Sequence, residues 1–207
     1  MVCTLRENDA MSRQAHIQRQ TAETSIDLLL DLDGTGRAEI QTGIGFFDHM
    51  LQLLARHAMF NLWIQAHGDL HVDAHHTVED VGICLGRALA EALADKTDIR
   101  RYGHALVPMD ETLVTAVVDL SGRAYLVWQV DMPRHKLGQF DSELTQDFWQ
   151  AVVQHAAMNL HVLCHYGRNV HHIIEAVFKA AARALRDAVE IDPRGSGIPS
   201  TKGSLSG

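Results

Sequence analysis

The sequence predicts an α+β fold made of two duplicated ββαβα halves, with the helices packed on one face of two sheets. Three observations predict it. Strand-like and helix-like hydrophobic patterns alternate along the chain, and their order occurs twice. The composition, 46% hydrophobic and 21% charged over 207 residues, is that of an ordinary globular domain large enough to form a core without staples.

Residues 1–10 read as an N-terminal extension and residues 11–95 as the first half. Over 25–33 the partial alternation of SIDLLLDLD indicates a strand. Asp33-Gly34-Thr35-Gly36 is a turn, and residues 37–42 are expected to pair back as a hairpin. Phe46, Phe47, Met50, Leu51, Leu54 and Ala58 recur at three and four, which makes 46–59 helical. A strand follows over 61–66, then a loop at Gly68 and a helix over 75–94 through Val78, Ile83, Leu85, Leu89 and Leu93. The second half, 96–191, has two strands over 112–120 and 124–130 around Ser121-Gly122, a helix over 142–158, a strand over 160–165 and a helix over 171–189. The tail, 192–207, holds Gly, Pro, Ser and Thr and is expected to be a loop.

The halves align residue by residue. With His49 over Asp147, His57 falls on His155 and Asn61-Leu62 on Asn159-Leu160. After a two-residue gap, His75-His76-Thr77-Val78-Glu79 falls on His171-His172-Ile173-Ile174-Glu175, and Ala88-Leu89 on Ala184-Leu185. A five-residue polar–apolar motif with His and Asn at fixed upstream offsets indicates duplication.

Composition excludes several classes. The net charge of −8 does not suit general nucleic-acid binding. No apolar run approaches the roughly 20 residues of a membrane span, and the first twenty residues lack a secretion signal core. Cys3, Cys84 and Cys164 are scattered without a CxxC, as expected of a cytoplasmic protein without disulfides or a thiolate metal site. Fourteen residues are histidine, which is abnormal, and no terminal tract explains them.

The central signal is His-His-x-x-Glu, present twice. On a helix His75 and Glu79 share a face, as do His171 and Glu175. His76 lies about 100° around the helix from His75, so two adjacent imidazoles do not grip one ion. Each helix start therefore serves two ions in different directions, completed from the other half or from another subunit. Imidazole and carboxylate without thiolate fit Mn, Fe(II), Zn, Ni or Co. His49, His71 and Asp73 are further candidate ligands. A zincin would need His-Glu-x-x-His, which is absent. Arg100-Arg101, Arg123, Lys179 and Pro199-Ser200-Thr201-Lys202-Gly203 are basic or hydroxyl groups suited to a phosphate. Glu23 and Asp110-Glu111 are carboxylates beside strands, able to transfer protons.

Together these residues resemble the imidazoleglycerol-phosphate dehydratase family. The resemblance rests on Phe46-Phe47-Asp48-His49-Met50-Leu51, His75-His76-Thr77-Val78-Glu79-Asp80, Asp119-Leu120-Ser121-Gly122-Arg123, His171-His172-Ile173-Ile174-Glu175-Ala176, Phe178-Lys179-Ala180 and Pro199-Ser200-Thr201-Lys202-Gly203. It implies a fold of the ribosomal-protein-S5-domain-2-like type, a homo-24-mer and two Mn(II) ions per active site, lying between subunits. It also implies that the enzyme is a lyase of histidine biosynthesis acting on a phosphorylated imidazole substrate. Metal ligands are implied at His49, His75, His76, Glu79, His171, His172 and Glu175. Many members have His where this chain has Asp147, which is expected to bind metal through oxygen. Substrate contacts are implied at Glu23, His49, His57, Arg101, Arg123, Lys179, Ser200, Thr201 and Lys202. The expected chemistry is dehydration through a metal-stabilised imidazolate, with Glu23 moving protons, Glu79 and Glu175 as alternatives, and Arg101, Arg123 and Lys202 on the phosphate.

Overall fold

A computed structural model describes residues 13–205. The extension expected over 1–10, and Cys3 with it, lie outside the described residues. The first half runs β1 (Gln14–Gln20), β2 (Thr24–Asp31), β3 (Ala38–Gln41), α1 (Gly45–Ala58), β4 (Asn61–Gly68) and α2 (His75–Leu93). The second runs β5 (Tyr102–Met109), β6 (Thr112–Asp119), β7 (Tyr125–Gln129), a short pair β8 (Lys136–Leu137) and β9 (Phe140–Asp141), then α3 (Leu144–Ala156), β10 (Asn159–Tyr166) and α4 (Val170–Val189). The sheets have equivalent orders, β1-β2-β4-β3 and β5-β6-β10-β7. The α+β class and the duplication stand, and each half gains a leading strand.

One expected pairing is corrected. β3 does not pair back on β2 but lies parallel to β4, with Ala38 opposite Leu62. The reason is that β4 occupies that edge of β2 along its whole length, from Thr24↔Gly68 to Asp31↔Asn61. The hairpins are instead β1–β2 and β5–β6. Gly34 allows the chain to pass β4: a Cβ there would meet Asn61 N at 2.3 Å. The Asn61 amide oxygen in turn accepts from Thr35 and Arg37 N–H.

Each sheet buries one face. Ile26, Leu28, Leu30, Leu62 and Ile64 point inward from the first, and Val114, Ala116, Val118, Leu160 and Val162 from the second. α2 packs on α3, and α1 on α4, so the helices of the two halves meet between the sheets. Phe47, Phe140, Phe148, Trp149 and Phe178 fill the seam, with the Phe148 and Phe178 rings 5.4 Å apart. α2 comes close to α3 because Gly82 and Gly86, one turn apart, present no side chain. A Cβ would lie 2.8 Å from Phe148 O at the first and 2.6 Å from Val152 O at the second. That approach sets α3 beside the start of α2. No helix among the described residues is long and apolar enough to cross a membrane.

Candidate metal centre and anion cleft

The starts of α2 and α4 are built alike. The His75 N–H donates to the Asp73 carboxylate at 2.8 Å, and the His171 N–H to the Asn169 side-chain oxygen at 2.9 Å. Asp73 and Asn169 occupy the same repeat position, two residues before the first imidazole. They satisfy a helix N–H that has no intrahelical partner, so Asp73 has a local task at the helix entrance. His71 is exposed.

One ligand set is assembled across the halves. His49 on α1 and His171 and Glu175 on α4 bring one ligand atom each to within 4.8 Å of the others. Glu175 Oε2 lies 3.2 Å from His171 Nε2 and 3.5 Å from His49 Nε2. Its other oxygen, Oε1, accepts from Lys179 Nζ at 2.6 Å. Burial pushes the Glu175 carboxyl upward, but the Lys179 ammonium outweighs it and the group stays below its usual range. The carboxylate is therefore charged and aimed.

The repeat-related set combines Asp147 on α3 with His75 and Glu79 on α2. His75 Nδ1 is 3.6 Å from Asp147 Oδ2, and His75 Nε2 is 3.8 Å from Glu79 Oε2. This set is more open: the Glu79 and Asp147 side chains are 49% and 44% exposed, against 9% for Glu175. His75 meets Asp147 and Glu79 through opposite ring nitrogens, so among the described residues the donors gather around one point only at His49, His171 and Glu175, whose nitrogen and oxygen atoms fit a divalent ion.

The second imidazole of each pair faces away. The rings of His75 and His76 meet at 81°, and those of His171 and His172 at 82°. His76 Nδ1 contacts Asp69 at 3.0 Å, and His172 Nδ1 contacts Glu111 at 2.7 Å. Hydrogen bonding to these carboxylates raises both imidazoles above the ordinary histidine value. A carboxylate on one ring nitrogen fixes the other for metal. His76 and His172 lie outside the His49–His171–Glu175 group, each against carboxylates of its own chain.

Glu23 and Glu111 occupy equivalent hairpin turns, just before the buried Thr24 and Thr112. Glu111 accepts from His172 and from the Asn169 and Arg168 N–H groups, which hold its carboxyl down at about 2. Among the described residues the Glu23 side chain has a single long contact, 3.8 Å to His76 Nδ1, and it is half exposed. Of the two, Glu23 is the carboxylate free to act. His57 is depressed by burial and by the Lys179 and Arg183 charges, and so favours the neutral imidazole.

The anion residues form a separate cleft of about 800 Å³, lined by Arg101, Ser121, Arg123, Ser200, Thr201 and Lys202 among others. Arg101 is fixed there by Asp119, with Nε at 2.7 Å and Nη2 at 3.2 Å, and by a bond from Nη1 to Pro199 O at 2.9 Å. Lys179 is not in this lining but beside Glu175. Asp69 as a positioning carboxylate and Lys96, buried with Nζ 3.2 Å from Leu120 O, escaped the sequence reading, and Asp119 stood within the Asp119-Leu120-Ser121-Gly122-Arg123 motif without a task. Only their fold neighbours give the three one.

The sequence profile of the imidazoleglycerol-phosphate dehydratase family matches residues 42–185. The chain is 60% identical over 195 residues to the imidazoleglycerol-phosphate dehydratase of Gluconacetobacter diazotrophicus, covering 94% of this chain and 98% of that one. It is 58% identical to that of Geobacter sulfurreducens, covering 94% and 100%. Among solved structures it resembles the dehydratase of Staphylococcus aureus, with a TM-score of 0.79, 40% identity and coverage of 86% and 99%. It also resembles IGPD of Pyrococcus furiosus, with a TM-score of 0.78, 36% identity and coverage of 91% and 99%.

Proposed function

The chain belongs to the imidazoleglycerol-phosphate dehydratase family, lyases of histidine biosynthesis, and from that premise we propose that it works with two Mn(II) ions in an active site completed by another copy of the chain. The assembled donors of His49, His171 and Glu175 support this above all, with His75, Glu79 and Asp147 as their repeat-related counterpart. The outward His76 and His172 supply the donors each set lacks. Ions held by His49, His171 and Glu175 and by the repeat-related residues would supply Lewis acidity to the substrate imidazole.

The residues of the chain do the rest. Arg101, Arg123, Ser200, Thr201 and Lys202 grip the phosphate, and the Arg101 fork is held flat by Asp119. Holding that end fixes the reacting carbons. Glu23 takes the proton from the carbon beside the leaving hydroxyl, since its carboxylate has no backbone N–H to satisfy. Glu175 is held by Lys179 and two imidazoles, and Glu79 lies with the open ligand set, so both are better suited to metal than to proton transfer. Neutral His57 and Lys179 contact the substrate from beside Glu175.

The assembly we propose is a homo-24-mer in the cytoplasm. The outward imidazoles support self-association, as do the exposed Tyr102, Leu106, Val117 and Tyr125 on the outer face of the second sheet. Glu23→Gln tests the proton role. Turnover should fall by at least about a hundredfold with metal content unchanged; near-normal turnover removes Glu23 from the chemistry. Release of imidazoleacetol phosphate, rather than inorganic phosphate, separates dehydration from hydrolysis.

A further inference from the structure

The residues that join the halves, 94–101 between α2 and β5, hold an unusual backbone. Among the described residues seven other than glycine have φ in the left-handed region, and four of them stand here: Ala94, Lys96, Asp98 and Arg101. Such conformations are costly and persist where the surroundings over-determine them, often beside a binding site. Three of the four reach the anion cleft. Arg101 lines it and donates from Nη1 to Pro199 O at 2.9 Å. Lys96 is buried and donates from Nζ to Leu120 O at 3.2 Å, just ahead of the lining residues Ser121 and Arg123. Asp98 ties down the tail. Its Oδ1 accepts from Gly197 N–H at 2.6 Å, its own N–H donates to Gly197 O at 3.0 Å, and its carbonyl accepts from Asp192 N–H at 2.8 Å. Gly195 passes so close that a Cβ there would lie 3.3 Å from Asp98 Cα. Two residues after Gly197 the tail becomes cleft lining, with Pro199, Ser200, Thr201 and Lys202, and the buried Leu205 holds its far end.

We infer that Asp98 is a positioning residue of the anion cleft: by clamping Gly197 it sets where Ser200, Thr201 and Lys202 stand relative to Arg101. The inference rests on the phosphate reading above and adds to it a residue outside the cleft lining. The residue type fits the task. Asp is one of the few side chains that tolerate the left-handed backbone, and its carboxylate makes a charge-assisted bond to a backbone N–H. One residue thus supplies both the bend of the linker and the acceptor that fixes the tail. Arg101, three residues on, is fixed by the same linker: its N–H donates to Ala188 O at 2.9 Å and its carbonyl accepts from Leu120 N–H at 3.1 Å. The cationic floor of the cleft and its hydroxyl-bearing tail are therefore referred to one short segment, and a phosphate held between them depends on Asp98 without touching it.

The test compares two substitutions that both accept the left-handed backbone, measured on the Mn(II)-loaded enzyme. Asp98→Asn keeps a side-chain acceptor for the Gly197 N–H, and Asp98→Gly removes it. Light scattering and thermal denaturation report whether each variant assembles and folds as the unmodified protein does. Loss of a charge-assisted hydrogen bond in Asp98→Gly should raise KM for the phosphorylated substrate about fivefold or more. Its kcat should stay within about twofold of normal, because the reacting groups are untouched. Asp98→Asn should bring KM back to within about twofold of the unmodified protein. An unchanged KM in Asp98→Gly, a fall in kcat without a rise in KM, or an Asp98→Asn variant as impaired as Asp98→Gly would overturn the positioning role. Arg123→Ala, measured beside them, tests the premise separately. An unchanged KM in that variant would instead overturn the phosphate reading.

Discussion

Arg123 and Arg101 line the same cleft, yet among the described residues only Arg101 has a carboxylate partner, Asp119. Arg123→Ala removes a free phosphate donor. A hydrogen bond to a charged group contributes about 1.5–3 kcal/mol, so KM for the phosphorylated substrate should rise about tenfold or more, and an unchanged KM removes Arg123 from the phosphate site. Asp119→Asn should raise KM as well, because the Arg101 fork loses its charged support. The raised His76 and His172 values carry a pH sign. A ligand imidazole must be neutral, and these two bind protons at higher pH than ordinary histidines, through Asp69 and Glu111. Mn(II) uptake should therefore start to weaken above pH 6.5 as the solution is acidified. Affinity that stays flat from pH 8 to 6 would contradict that coupling. The sequence made the His-His-x-x-Glu residues legible because two copies of a spaced motif carry information about each other. Asp69 and Lys96 carry no motif, and Asp119 stands in one that gives it no task, so only the backbone path gives the three their partners.

Between elements, the α2–α3 contact depends on Gly82 and Gly86, over which Phe148 O and Val152 O pass. Gly86→Val would drive a branched side chain into the α3 backbone. Overpacking costs about 1–3 kcal/mol or more, so Tm should fall. Because α3 carries Asp147, the His75–Glu79–Asp147 set should also lose Mn(II). A variant with unchanged Tm and two bound ions would show that the helices tolerate separation. Phe178→Ala empties the stacked aromatic seam and should cost about 3–5 kcal/mol in a denaturation measurement. All four helices were legible from spacing, as were β2, β4, β6, β7 and β10. The leading strands β1 and β5 were not. They are edge strands whose alternate residues Gln14, His16, Gln18 and Gln20, or Tyr102, His104 and Leu106, face outward. β5 also carries Gly103 and Pro108, which pattern reading treats as breakers. The pairing of β3 was misread because a short turn favours a hairpin locally, while β4 takes the edge of β2 over eight residue pairs.

At the scale of the whole molecule, the His49–His171–Glu175 group joins a helix from each half, and His76 and His172 turn away from their neighbouring imidazoles. The proposed ions between copies would stabilise the assembled form by mass action, so chelation should reduce the assembly to smaller species in light scattering. A chelated sample of unchanged size would mean the ions do not hold copies together. The most direct measurement follows imidazoleacetol phosphate release from metal-free protein as Mn(II) is returned and counted. Activity should be absent without metal and approach its full value only as the count nears two ions per chain. Full turnover in protein stripped of metal, or a maximum at one ion per chain, would contradict the two-ion centre.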